Sequence, residues 1–191
     1  MKLEMLSPLW FIFMGVSVFL AAFLGLILGK RSEFTKHIVI LICFFVPFAI
    51  HFIWPVVEDG NYTLAELVGC FIPDNFCALS VLVAPFIYIF AGNNFLRSGM
   101  VWFGLFSGLT QVIYPACIGN EFSLEMLRFI VVHLFVALPP LLMLVTGLYK
   151  PTVADIWRVA CYIILFLATI MLLQYIGVEM GLLDRGTNFL D

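Results

Sequence analysis

Apolar residues run through this chain in long blocks broken by short polar connections, and six blocks stand out: 8–28, 37–57, 67–91, 98–118, 125–148 and 156–178. Each is about the length that an α-helix needs to cross a bilayer. None alternates polar and apolar residues as a barrel strand does. A helix satisfies all its own peptide groups in lipid, so all six blocks are expected to be helical. The pattern predicts an all-α, polytopic membrane helix bundle of about six transmembrane helices, forming one transmembrane domain over residues 1–191. The first block is followed by Gly29-Lys30-Arg31 rather than by a small-residue cleavage site, and reads as a permanent span.

Composition agrees with this pattern. The chain is 64% hydrophobic and only 11% charged, too few charges to cover a soluble domain of this size. A net charge of −3 and the lack of a basic patch argue against a nucleic-acid partner. Five cysteines without C-x-x-C spacing argue against a zinc site or a disulfide scaffold, so neither metal nor cofactor is expected.

The charges also predict an orientation. Lys30, Arg31, Lys36, Arg97, Lys150 and Arg158 fall in connections on one side, with Glu33 and Asp155. Lys2, Arg128 and Arg185 fall on the other side, among most of the acids. The positive-inside rule then places both termini on the non-cytoplasmic side. Gly25/Gly29 and Gly104/Gly108 are small-xxx-small pairs that suit close helix packing.

Polar residues inside the spans gather toward the same outer side: His51, Asp74, Asn75, Cys77, Ser80, Thr110, Gln111, Tyr114, His133, Gln174 and Tyr175. Such residues are costly in lipid and usually face a cavity or a partner. Cys77 and His133 are ten and nine residues in from the outer ends of their blocks, roughly 14 to 15 Å deep at 1.5 Å per residue. A thiol and an imidazole at one depth suit acyl transfer, with the imidazole as base. Asn75, Gln111 and Tyr114 are candidate oxyanion donors at that depth, and Gln174 is a further candidate substrate contact. Pro73-Asp74-Asn75 also has the residue types that begin helices. On that reading residues 62–72 form a separate interfacial piece, and Cys77 sits in a first helical turn where the dipole favours a thiolate.

Other readings of the same residues stay open. They are haem ligation by His51 and His133, a small transporter or proton pathway through Asp74, His51 and His133, and a non-catalytic scaffold whose polar groups only join helices.

Pro73-Asp74-Asn75-Phe76-Cys77, then Pro115, His133 and Gly147-Leu148-Tyr149-Lys150-Pro151-Thr152, with Gly186-Thr187-Asn188-Phe189 near the end, resembles the YwaF-type bacterial integral membrane proteins. Their eukaryotic relatives include a cysteine-dependent ether-phospholipid acyltransferase. The likeness covers roughly residues 67 to 189. It implies Cys77 as the nucleophile, His133 as the general base, and a membrane phospholipid or lysophospholipid as substrate. Bacterial relatives often have histidine two residues before the cysteine and aspartate just after it, where this chain has Asn75 and Ala78.

Overall fold

A computed structural model describes residues 7–54, 63–73, 75–114 and 123–183. Asp74, Pro115 and the Gly186–Phe189 run lie outside the described residues. Among those described there are seven α-helices and no strand: α1 (Pro8–Gly29), α2 (Glu33–Phe48), α3 (Leu64–Cys70), α4 (Phe76–Phe90), α5 (Asn94–Ile113), α6 (Leu124–Val145) and α7 (Asp155–Glu179). A π-helical turn, Ala49–Ile53, continues α2. The chain is a polytopic membrane protein with a helical-bundle fold.

Local sequence sets where the helices begin. Ser7, Ser32, Asn75, Asn93 and Ser123 each turn a side-chain oxygen back onto a backbone N–H of the first turn. Thr63 and Glu66 form a reciprocal capping box at α3. Gly147, at φ 75°, takes the left-handed turn that follows α6, a conformation that glycine adopts without steric cost.

The single expected span 67–91 is a correction: two helices, α3 and α4, occupy this stretch. Pro73 cannot donate a backbone hydrogen bond and disfavours helical geometry in the residue before it, while Asn75 caps a new helix. α1, α2 with its π-helical turn, Met126–Val145 and α7 are long and apolar enough to cross a membrane, and α4 is a shorter apolar helix. α5 has the length but is less apolar, because Ser98, Gly99, Gly104 and Gly108 occupy its buried positions.

α5 and α6 form the most extensive helix pair, with α2 against α6 and α7 against α5. The largest core cluster joins Leu28, Ile40, Phe44, Met100, Val101, Leu138 and Leu142 from α1, α2, α5 and α6. Gly104 and Gly108 lie at the α5–α6 contact, whereas among the described residues nothing lies within 4 Å of where a Cβ on Gly29 would sit. Large apolar side chains on α1 and α7, among them Phe11, Phe19, Leu26, Trp157 and Ile164, point outward, as suits a surface solvated by lipid. α1 is tied in near its start, where Trp10 Nε1 donates to the Ile113 carbonyl at 2.9 Å.

Candidate active site

The break between α3 and α4 puts Cys77 in the first turn of α4. Asn75 Oδ1 accepts from the Ala78 N–H at 2.8 Å, which fixes the helix start one residue before the cysteine. The thiol therefore sits at the positive end of the α4 dipole. The N–H groups of a first helical turn have no acceptor in the helix's own ladder, the feature by which helix starts bind anions.

His133 comes from the buried side of α6 and is 7% exposed. Its Nδ1 is 2.8 Å from the Phe129 carbonyl oxygen, one turn earlier. A carbonyl can only accept, so Nδ1 carries the proton in the neutral ring and Nε2 keeps its lone pair. The two rings also pack together, with centroids 4.1 Å apart.

α2 contributes His51 through its π-helical turn. Pro47 lies inside α2 and removes one hydrogen bond of its ladder, and the turn Ala49–Ile53 follows at once. One wider turn shifts the register of the side chains beyond it, a device frequent at functional sites. His51 packs edge-on against Phe52, with centroids 4.7 Å apart.

These groups meet in one cavity of about 500 Å³, lined by Cys77, His133, Asn75 and Gln111 together with His51 and Arg128. Apolar walls come from Phe76, Ala78, Val81, Phe129 and Val132. On α6 the contributing residues are 128, 129, 132 and 133, a stripe with helical spacing down one face. Two expected contacts lie elsewhere. Tyr114 ends α5 and is largely exposed, Gln174 is buried in α7, and neither lines this cavity. In the sequence Arg128 stands out only as a charge that bears on the orientation of the chain. Its place in the 128/129/132/133 stripe is the signal that points to the cavity.

The cavity thus combines a thiol, an imidazole with a free lone pair, amide donors, a guanidinium and an apolar lining. Among the described residues no group of three or more His, Cys, Asp or Glu side chains is placed to hold a metal ion. Cys43 is buried and Cys161 exposed, each free of disulfide bonding. No curated protein and no solved structure matches the chain. A family model does match, over residues 5–190, and by it the chain belongs to the TMEM164 family.

Proposed function

We propose that the chain is a membrane-embedded phospholipid acyltransferase, or lipid hydrolase, that works through an acyl-Cys77 intermediate with His133 as its base. The observation that carries this reading is the shared cavity of Cys77 and His133, with the tautomer of His133 set by Phe129. The resemblance to YwaF-type proteins and their acyltransferase relative supports the same assignment. If both termini are non-cytoplasmic, the cavity lies toward the non-cytoplasmic face.

In the first half-reaction His133 Nε2 takes the thiol proton and the Cys77 sulfur attacks the ester carbonyl of a phospholipid. The tetrahedral oxyanion is met by Asn75 Nδ2, Gln111 and the N–H groups at the start of α4. As the C–O bond breaks, His133 returns the proton to the leaving alkoxide and a lysophospholipid departs. In the second half-reaction His133 deprotonates an acceptor hydroxyl, which attacks the thioester and releases the Cys77 thiolate. A lysophospholipid acceptor makes the reaction a transacylation, and water makes it a hydrolysis.

Intact-mass spectrometry of the purified protein, incubated with a phospholipid of defined acyl chain, tests the reading. A hydroxylamine-labile acyl adduct on the wild type, absent from Cys77→Ala, is the expected result. Acyl transfer at the full rate by Cys77→Ala would rule it out.

A further inference from the structure

A second cavity, of about 680 Å³, lies between α1 and the α5–α6 pair and shares no lining residue with the Cys77 cavity. On α6 it takes residues 134, 137, 138, 141 and 145, a different face from the 128/129/132/133 stripe. α1 touches the bundle at both ends of this slot. Toward its start Leu9 packs on Met126 and Ile130, and Trp10 bonds the Ile113 carbonyl. Toward its end Leu28 joins the main core, and a Cβ on Gly25 would lie 3.3 Å from Val145 Cγ1. Between those points the helices part. Ser17 is the one polar lining residue, and its hydroxyl is already bonded to the Phe13 carbonyl at 2.7 Å. A space lined in this way offers water no partners. Val18 and Leu26 line it and are largely exposed, so the slot opens sideways, where lipid surrounds the bundle.

Its dimensions and its charged end narrow the occupant. The α1 residues that line it run from Met14 to Leu26, about 18 Å along the helix axis. Three bonds of an extended chain span about 3.8 Å, so a chain of about 16 carbons spans about 19 Å. A dry cavity of about 150 Å³ accepts one benzene ring, so this slot has room for roughly two dozen carbons, one fatty chain and not two. Lys30 lies four residues beyond Leu26, about 6 Å further along the axis, and Arg31 follows it. Lys150 follows α6 on the same end, five residues beyond Val145. All three are exposed, and among the described residues none is in an ion pair. Of the acids at this end, Asp155 is engaged by Arg158 and Glu33 opens α2, where the helix dipole suits it. A lipid phosphorus stands five bonds from an ester carbonyl carbon, about 6 Å, the same step that separates the slot from Lys30.

We propose that this slot holds one fatty chain of a resident anionic phospholipid, whose head group sits at Lys30, Arg31 and Lys150. The lipid is a fixed part of the bundle and not a substrate, because its chain lies on a face of α6 away from Cys77. It fills the gap that α1 leaves and joins α1 to the α5–α6 pair. Net negative charge is what the site selects, so a zwitterionic lipid with the same chains and the same phosphate is the weaker ligand. The proposal stands independently of the acyl-Cys77 reading.

Photolabelling with site mapping tests it. The full chain is reconstituted in phosphatidylcholine vesicles with a trace of phosphatidylglycerol carrying a mid-chain diazirine, or of phosphatidylcholine carrying the same chain. Illumination is followed by peptide mass spectrometry. The glycerol lipid is expected to label Ala21, Leu134 and Leu141 more than the outward-facing Phe19 and Phe23 of α1. Lys30→Gln, Arg31→Gln and Lys150→Gln should each lower that slot labelling by up to about fivefold, the worth of one cation near an anionic head group, and leave Phe19 and Phe23 unchanged. Ala21→Phe, which fills the slot, should remove the labels on Leu134 and Leu141. Should Ala21→Phe fail to fold, the three exposed charge substitutions decide. Equal slot labelling by the two lipids overturns the anionic assignment. Slot labelling no higher than at Phe19 and Phe23 means bulk lipid contact and overturns the site. An unlabelled slot beside a labelled Phe19 means that protein covers it, and overturns the proposal too. Labels on Val81 or Val132 report the Cys77 cavity instead, and failure of Cys77 to form an acyl adduct leaves the slot result standing.

Discussion

The Nδ1 atom of His133 lies 2.8 Å from the carbonyl oxygen of Phe129, four residues earlier on the same helix. That bond does for the imidazole what a carboxylate does in a catalytic triad: it orients the ring and selects the tautomer that leaves Nε2 basic. A backbone carbonyl carries no full charge, so it holds the ring without stabilising the imidazolium as strongly. His133→Ala should therefore lower the rate of acyl-adduct formation by about 10²- to 10⁴-fold, the usual contribution of a positioned general base. The measurement is the initial rate of adduct growth on Cys77 by intact mass, with folding checked by size exclusion. A rate within a few-fold of wild type would remove His133 from the chemistry.

Gly108 brings α5 against α6 at the level of His133. A Cβ on Gly108 would sit 2.6 Å from both the Ala137 Cβ and backbone nitrogen, and 2.8 Å from the His133 carbonyl oxygen. Two of those atoms belong to the backbone and cannot swing aside, so the helices must separate. Gly108→Ala should destabilise the bundle by about 1–3 kcal/mol and slow adduct formation, because His133 shifts with α6. Gly15 is the control, since a Cβ there meets nothing within 4 Å. Gly15→Ala should leave melting temperature and activity unchanged, or raise the former slightly through helix propensity. Equal effects from the two substitutions would mean that the α5–α6 contact is not the limiting one.

Helix positions were legible because apolar blocks of bilayer length have few alternatives to helix. The break before Cys77 was also legible, carried by Pro73 and Asn75, although block length alone argued for one span over 67–91. Residues 77, 111 and 133 share an expected depth and His51 an expected side, but hydropathy says nothing about which faces of four helices turn toward one another. That depends on packing at Gly104 and Gly108, between residues far apart in the chain. The π-helical turn that delivers His51 was hidden for a similar reason, since a one-residue register shift leaves no mark on a hydropathy pattern. Arg128 reads in the sequence as a charge near a span end, whereas its place on the α6 stripe it shares with His133 follows from helical spacing. Tyr114, expected at the same depth, and Gln174, a further candidate contact, do not line the cavity.

Ser80 lies one turn beyond Cys77 on α4, is 6% exposed, and its hydroxyl has no hydrogen-bond partner among the described residues. It lines a small cavity of about 20 Å³ between α2, α4, α5 and α6, together with Val81, Phe135 and Val136. Pro85, Pro139 and Pro140 lack the N–H groups that would bond the carbonyls of those three residues in a regular helix. About 10–15 Å³ suffices for one water, and a hydroxyl beside carbonyls deprived of donors gives it partners. An ordered water is expected there in a high-resolution structure, and Ser80→Ala should lower stability by about 1 kcal/mol through loss of its hydrogen bond. A rise in melting temperature on Ser80→Ala would show instead that the hydroxyl is buried dry.

A second polar cluster, about 20 Å along α5 from Gln111, joins three segments around Asp155. Asp155 is 3% exposed and accepts from Ser98 Oγ at 2.8 Å, Tyr149 Oη at 2.6 Å, the Thr152 N–H at 2.8 Å, Thr152 Oγ1 at 3.0 Å and Arg158 Nη1 at 2.9 Å. These bonds fasten the link after α6 to the starts of α5 and α7. Tyr149→Phe should cost about 1–3 kcal/mol, and Asp155→Ala about 3–5 kcal/mol, because it leaves Ser98, Thr152 and Arg158 without their acceptor. Burial, and then donation to Asp155, hold the Tyr149 hydroxyl protonated above the ordinary tyrosine range. A raised folded-state value means that this contribution is fully present below the unfolded value of about 10 and is lost as pH rises through the folded one. The wild type should therefore lose melting temperature at alkaline pH more steeply than Tyr149→Phe, which has no proton to lose there. Neither residue lines the Cys77 cavity, so adduct formation per folded molecule should stay within about twofold of wild type in Tyr149→Phe. Parallel alkaline melting curves for the two proteins would show that the hydroxyl adds nothing to the fold, and a large fall in adduct formation would tie this end of the bundle to the chemistry at the other.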